Sequence, residues 1–306
     1  MEPEILDIDD AVVEQIPHPR RPMAPFQWYG GKGILAPWII SHLPVDGAKV
    51  YVEPYAGAAS VFWHLKQPFP VEVLNDIDER VVTVFRVLQD RTKFLEFRHR
   101  IIWTPYSLSE FRRAIKIIAN LNDHDDIDSA WAFFVACNQG YSAICETPGN
   151  WSRAFCLNRC SKWCSRIKLL HHWHERLRRV QIDNRDALEV IRYWDSPETL
   201  FYIDPPYVPS ARVDRRGYKY DLSDDHHERL VDVLLNIQGQ AALSGYDNPI
   251  YSRLESAGWE KHEKLTYCFA AARNRGTKLR GEGSLKTHAP RVEVLWVKRH
   301  KTGLLS

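Results

Sequence analysis

The chain has 306 residues, 44% of them hydrophobic and 26% charged, with a formal net charge of +2. No apolar run approaches the roughly 20 residues that cross a bilayer, and the acidic start (Glu2, Glu4, Asp7, Asp9, Asp10) resembles no secretion signal. The expectation is a cytosolic protein without a membrane partner, its six cysteines reduced. The net charge does not announce a nucleic-acid partner; its distribution says more. Between Trp151 and Gln181, Arg153, Arg159, Lys162, Arg166, Lys168, Arg176, Arg178 and Arg179 face a single acid, Glu175. Further basic clusters fall at Arg212, Arg215, Arg216, Lys219 and at Arg273, Arg275, Lys278, Arg280, Lys286. Segregation of this kind predicts one positively charged face.

In chain order, residues 1–24 read as a loose tail, acidic and then proline-rich. Phe26-Gln27-Trp28-Tyr29-Gly30-Gly31-Lys32-Gly33 leads into an amphipathic run at 34–43. Glycines before a helix allow close backbone approach to a ligand. This is not a phosphate-cradling loop of the Walker type, since Gly33 stands where that loop needs Ser or Thr. A strand at 49–53 ends in Glu53, a small-residue turn holds Gly57, and a helix is predicted over 60–66. A second strand at 71–74 runs into Asn75-Asp76-Ile77-Asp78 and a helix over 79–88. Strand, small-residue turn, helix and an acid about twenty residues on match the opening of a nucleotide-binding βαβ unit. Asp76 reads equally as the N-cap of the following helix.

From 90 to 179 strand alternation gives way to helices, predicted at 93–101, 108–120 and 128–137. An irregular stretch (138–152) and a long basic helical stretch (158–179) follow. Strands return at 180–182, 199–203, 240–244, 264–269 and 291–297, with helices over 186–193, 223–236 and 249–257. The predicted architecture is an α/β sheet, formed by 25–89 and 180–306, with a mostly helical module, 90–179, inserted into it.

The strand 199–203 ends in Asp204-Pro205-Pro206-Tyr207. Two prolines cannot continue a ladder, so a carboxylate, a stiff turn and an aromatic ring gather at a strand's carboxyl end. In an open α/β sheet that end faces the ligand crevice. Taken by itself the tetrapeptide is also an ordinary turn.

Four motifs in fixed order decide between these readings: Trp28-Tyr29-Gly30-Gly31-Lys32, Val52-Glu53-Pro54-Tyr55-Ala56-Gly57, Leu74-Asn75-Asp76-Ile77-Asp78 and Asp204-Pro205-Pro206-Tyr207. With them the chain resembles the Dam-type, D12 class of adenine-N6 DNA methyltransferases over about residues 25–300. The resemblance implies a Rossmann-like methyltransferase sheet, S-adenosyl-L-methionine as cofactor, double-stranded DNA as partner and a monomer. Carried over by position, Trp28 lies against the cofactor, Lys32 reaches its methionine carboxylate, and Glu53 and Gly57 belong to its binding turn. Asp76 holds the ribose hydroxyls, Asp186 lies near the adenine, and Asp204 lies at the methionine end. At Ala187 the family often has an aromatic residue.

The chemistry of the tetrapeptide is arguable from its residues. An exocyclic adenine amine is a poor nucleophile, because its lone pair is delocalised into the ring. Two acceptors on its N–H bonds pull the nitrogen towards tetrahedral geometry and free that pair. The Asp204 carboxylate and the Pro205 carbonyl are the expected acceptors, with Pro206 stiffening the loop and Tyr207 stacking on the base. The amine is inaccessible inside a duplex, so the base must flip out.

Cys156, Cys160 and Cys164 recur every four residues ahead of His171, His172 and His174. Three cysteines along one helix face do not converge on one ion, so the expectation is a buried stripe and no metal. Expected DNA contacts are Asn138 and Gln139, residue types that read adenine edges, and Arg153, Arg159, Arg166 and Arg212. Trp151, Phe155, Trp163 and Trp173 either stack on nucleic acid or face the core. RNA adenine, cytosine N4 and a DNA-binding relative without activity remain alternative readings of the same motifs.

Overall fold

The computed structural model describes residues 23–140, 151–152, 159–208, 222–267 and 290–300. The predicted tail therefore lies almost wholly outside the described residues. Seven strands form one sheet: β1 (Val50–Glu53), β2 (Val71–Asn75), β3 (Val180–Asp183), β4 (Thr199–Ile203), β5 (Gln240–Gly245), β6 (Glu260–Tyr267) and β7 (Pro290–Lys298). Their order is β3-β2-β1-β4-β5-β7-β6. The first five are parallel, and β7 runs antiparallel to both β5 and β6. The order reverses between β1 and β4, which opens a crevice beyond the carboxyl ends of those two strands. β1 leads into the turn holding Gly57, and β4 leads into Asp204.

The helices are α1 (Ala36–His42), α2 (Glu79–Gln89), α3 (Arg91–Trp103), α4 (Leu108–Ala119), α5 (Asp126–Gln139), α6 (Arg159–Ile167), α7 (Leu170–Leu177), α8 (Ala187–Trp194), α9 (Asp224–Asn236) and α10 (Ser252–Ser256). No helix among the described residues is long and apolar enough to cross a membrane. Several begin on a side-chain cap: Asp78, Asp90, Ser107, Asp125, Asp186 and Ser223 each accept a backbone N–H of the first turn.

Side chains alternate across the central strands, as a period of two requires. Tyr51, Leu200, Tyr202, Ala242, Leu295 and Val297 face one core, while Val52, Phe201, Ile203, Leu243, Val294 and Trp296 face the other. Helices α2 to α7 pack on the first face, so the inserted helices share a continuous core with the sheet. Within it lie Phe85, Phe97, Phe133, Phe134 and Trp173, all almost fully buried.

Three elements differ from expectation. The helix expected over 60–66 is only a 3-10 turn, Phe62–His64. There Glu53 captures the Phe62 amide at 2.8 Å, Ala58 O accepts the Trp63 indole N–H at 3.0 Å, and prolines at 68 and 70 prevent extension. The basic helix expected over 158–179 is two helices, α6 and α7, separated at Lys168-Leu169. β6 begins at Glu260, upstream of the expected start at 264, because its polar residues Glu260 and His262 pair with Val297 and Leu295 of β7.

The cysteine stripe is also corrected. Cys160 and Cys164 are exposed, and the buried side chain of α6 is Trp163, whose indole donates to Thr104 O at 3.1 Å. A large aromatic gains more from burial than a thiol, and it sets the inward face. Cys156 lies outside the described residues.

Candidate active site

The ends of β1, β4 and β5 converge with the segment before α1. Ile203 and Leu243 are paired in the parallel ladder, which puts Asp204 beside Ser244 one residue further on. Ser244 Oγ donates to Asp204 Oδ1 at 2.8 Å, and Tyr202 Oη lies 3.1 Å from Ser244 Oγ behind it. Lys32 Nζ, only 4% exposed, donates to the same Oδ1 at 2.7 Å. Two donors therefore fix one carboxylate oxygen, and no donor among the described residues occupies Oδ2.

Lys32 is itself fully engaged. Its ammonium also donates to Tyr207 Oη at 2.9 Å and Gly30 O at 3.3 Å, and it lies 3.4 Å from Glu293 Oε1. Burial alone lowers a lysine pKa. Here Asp204, Tyr207 and Glu293 outweigh it and hold Lys32 well above its ordinary value, so it stays charged. The Tyr207 phenol donates to Glu293 Oε1. Burial and the nearby carboxylates push its pKa up, which keeps it neutral. The Tyr207 ring stacks on Tyr246 with centroids 4.2 Å apart, and Arg291 donates to the Tyr246 hydroxyl at 3.1 Å.

A second group of residues lies beyond β1 and β2. Gly57 has φ +48, and a Cβ there would come within 2.4 Å of Trp28 Nε1. Only glycine combines this backbone with the indole above it. The Gly57 amide donates to Asp76 Oδ2 at 2.7 Å and the Asp78 amide to Asp76 Oδ1 at 2.9 Å. Burial raises the Asp76 carboxyl to about 6, against the lowering effect of those two amides. The cap of α2 is Asp78, so Asp76 is not held by that role. Asp186 caps α8 through Oδ1 and sits close enough to Tyr55 and His226 to influence both. Tyr55 Oη is 2.9 Å from His226 Nε2.

Comparison with known proteins decides the family. Residues 28–266 match the model of the D12 class N6 adenine-specific DNA methyltransferases. The chain belongs to that family. It is also similar to the Type II methyltransferase M.MjaIII of Methanocaldococcus jannaschii, 25% identical over 234 residues, covering 71% of this chain and 80% of the relative. The protein is thus a DNA adenine-N6 methyltransferase, with a methyl donor and DNA as its substrates.

For this methyltransferase the sequence-derived residues have mixed placements. Asp204, Pro205, Tyr207 and Lys32 are brought together, although Lys32 points at Asp204 and does not stand free for a cofactor carboxylate. Trp28, Gly57 and Asp76 are brought together in the second group. Glu53 lies beneath, 2% exposed, its Oε1 accepting from the Tyr51 hydroxyl at 2.7 Å and the Phe62 amide. Its side chain supports the turn from inside.

The expected DNA contacts are dispersed. Asn138 and Gln139 are buried, because their amides satisfy backbone groups: Asn138 donates to Pro25 O, and Gln139 links Pro105 O and the Ser107 amide. Arg166 donates to Ala24 O at 2.6 Å and anchors the start of the described chain. Arg159 is half-buried, with Nε enclosed and unpartnered. Arg153 and Arg212 lie outside the described residues. Trp163 and Trp173 face the core, while Lys162, Lys168, Arg178 and Arg179 of the same stretch are exposed.

Sequence reasoning missed Ser244, Tyr246 and Glu293. Ser244 was recoverable as the polar end of the strand next to Asp204. Glu293 was recoverable as the one acid within Val292-Glu293-Val294-Leu295-Trp296-Val297.

Proposed function

We propose that this enzyme uses S-adenosyl-L-methionine and methylates an adenine turned out of duplex DNA into the crevice between β1 and β4. One observation carries the reading: Asp204 Oδ1 is saturated by Lys32 and Ser244, while Oδ2 is left as an acceptor at the mouth of the crevice. The side chain is 19% exposed, enough for a ligand to reach it. Oδ2 takes one N–H of the adenine amine, and the Pro205 carbonyl takes the other. Both bonds draw the nitrogen lone pair out of conjugation.

The residues of the second group fit the cofactor. Asp76 keeps a lone pair on each oxygen after accepting its two amides, which suits paired ribose hydroxyls, and Gly57 lets the backbone come close. Trp28 forms the wall over Gly57, and Asp186 with Tyr55 marks the adenine end. When bound, the cofactor supplies an activated methyl group on a sulfonium. On taking that methyl group the adenine amine would shed one proton to water. Asp204 holds the nucleophile through this exchange.

The inserted helices, 90–179, serve as the DNA-recognition module, with the exposed bases of α6 and α7 reaching phosphates. The protein acts as a monomer. The test is Asp204→Ala, assayed with duplex DNA and titrated with S-adenosylmethionine by calorimetry. The expected result is loss of transfer with cofactor binding retained. Turnover close to the parent would overturn the mechanism.

A further inference from the structure

We infer that Glu293 is a positioning residue for methyl transfer, acting through Tyr207 and Lys32; the inference rests on the roles just given to Asp204 and Tyr207. Glu293 stands on β7, far in sequence from the other groups, and is 3% exposed. A buried carboxylate is costly unless paired and hydrogen-bonded. Its neighbours on the same sheet face, Leu295 and Val297, are core residues, so alternation alone would place an apolar side chain at 293. What faces Glu293 is the catalytic turn: the Tyr207 hydroxyl donates to Oε1, and the Lys32 ammonium lies 3.4 Å from the same oxygen.

These contacts fix the direction of the Tyr207 proton. The Tyr207 hydroxyl accepts from Lys32 and donates to Glu293, so its proton points away from Asp204. Without Glu293 that hydroxyl loses its acceptor, and with it the bond that holds the phenol beside Lys32 and Asp204. The same bond holds the Tyr207 ring in place against Tyr246.

Charge acts in the same direction. Lys32 carries one positive charge and Asp204 and Glu293 two negative ones, so the cluster retains one net negative charge. Glu53, raised to about 8 by burial, is neutral at pH 7 and adds nothing. A fixed negative charge suits a reaction in which positive charge moves from sulfur to nitrogen. Removing the charge at position 293 makes the cluster neutral without touching the nucleophile's own acceptor.

The test compares Glu293→Gln, Glu293→Asp and Tyr207→Phe with the parent in single-turnover methylation of duplex DNA, cofactor calorimetry and thermal melting. Glu293→Gln should lower kcat about 10- to 100-fold, with KM for DNA and cofactor affinity within about twofold. On a Tyr207→Phe background the same substitution should cost several-fold less, because the hydroxyl it orients is gone. A kcat within twofold of the parent would overturn the inference, as would losses in kcat and cofactor affinity that simply track melting temperature. Should Glu293→Gln fail to fold, Tyr207→Phe decides alone: it removes the hydroxyl that links Glu293 to Lys32, kcat should fall, and parental kcat would sink the idea. Asp204→Ala separates the two levels. If it is inactive while Glu293→Gln is unimpaired, only the role of Glu293 falls; if it is active, the underlying mechanism falls.

Discussion

The Gly57 amide donates to the Asp76 carboxylate at 2.7 Å, joining the turn after β1 to the end of β2. The bond explains why an acid about twenty residues after the glycine belongs to the same site. β1 and β2 are parallel neighbours in register, Val50 opposite Val71 and Glu53 opposite Leu74, so the turns leaving the two strands meet beyond the sheet edge. The carboxylate thereby holds the glycine turn open and presents its remaining lone pairs outward.

With Asp76 in the role proposed for it, methyl-donor binding should depend on pH. Burial raises the Asp76 carboxyl to about 6. Above that pH the carboxylate would be free to accept from ribose hydroxyls; as pH falls through 6 it takes up a proton and loses acceptor capacity. Affinity for S-adenosylmethionine should therefore drop severalfold between pH 7.5 and 5.5 by calorimetry. Asp76→Asn should bind weakly throughout and show a flat profile over that range. A parent affinity unchanged between those pH values would remove Asp76 from the binding site.

Glu53 predicts a stability effect with the opposite dependence to most carboxylates. Its folded-state value is raised from 4.5 to about 8, chiefly by burial, despite the bonds from Tyr51 and Phe62. Between those values the folded state holds a proton that the unfolded chain has released. Stability is therefore lost as pH rises, by up to about 1.4 kcal/mol per unit across the window. Glu53→Gln keeps an acceptor for Tyr51 and Phe62 but cannot ionise. Urea denaturation should show the variant gaining on the parent steadily from pH 5 to 8. A constant difference across that range would mean that Glu53 is ionised in the folded state.

The strand ends were legible because their chemistry is local. Pro205-Pro206 stops a strand wherever it stands, and Gly57 marks a turn whatever surrounds it. The strand order was not legible in the same way, since β7 enters between β5 and β6 only through pairings across the whole chain. For that reason the strand predicted at 291–297 carried no sign that its one acid, Glu293, is a buried partner of Lys32. The DNA contacts suffered from the reverse problem. Residue type alone places Asn138 and Gln139 on a base, but the unpaired backbone groups of Pro25, Pro105 and Ser107 needed partners first. Basic residues in α6 and α7 likewise divide between surface and interior, and periodicity did not show that Arg166 and Arg176 turn inward.

Arg176 supplies the last prediction. It stands on α7, and its guanidinium makes a bidentate pair with Glu72 on β2, a residue only 2% exposed. Glu72 Oε1 also accepts the Phe69 amide at 3.1 Å, and the guanidinium lies 4.0 Å from the Phe62 ring centroid. One side chain thus ties the inserted helices to the sheet and covers the 3-10 turn behind Glu53. Arg176→Ala leaves Glu72 buried and unpaired, which should cost about 3–5 kcal/mol in urea denaturation. Arg176→Lys should recover less than half of that, because an ammonium cannot reproduce two parallel N–H bonds and the stacking on Phe62. Neither substitution touches the Asp204 cluster, so material that remains folded should transfer methyl groups with near-parental kcat. A loss under about 1 kcal/mol for Arg176→Ala would show that water replaces the guanidinium at Glu72 and that the helices are held by apolar packing alone.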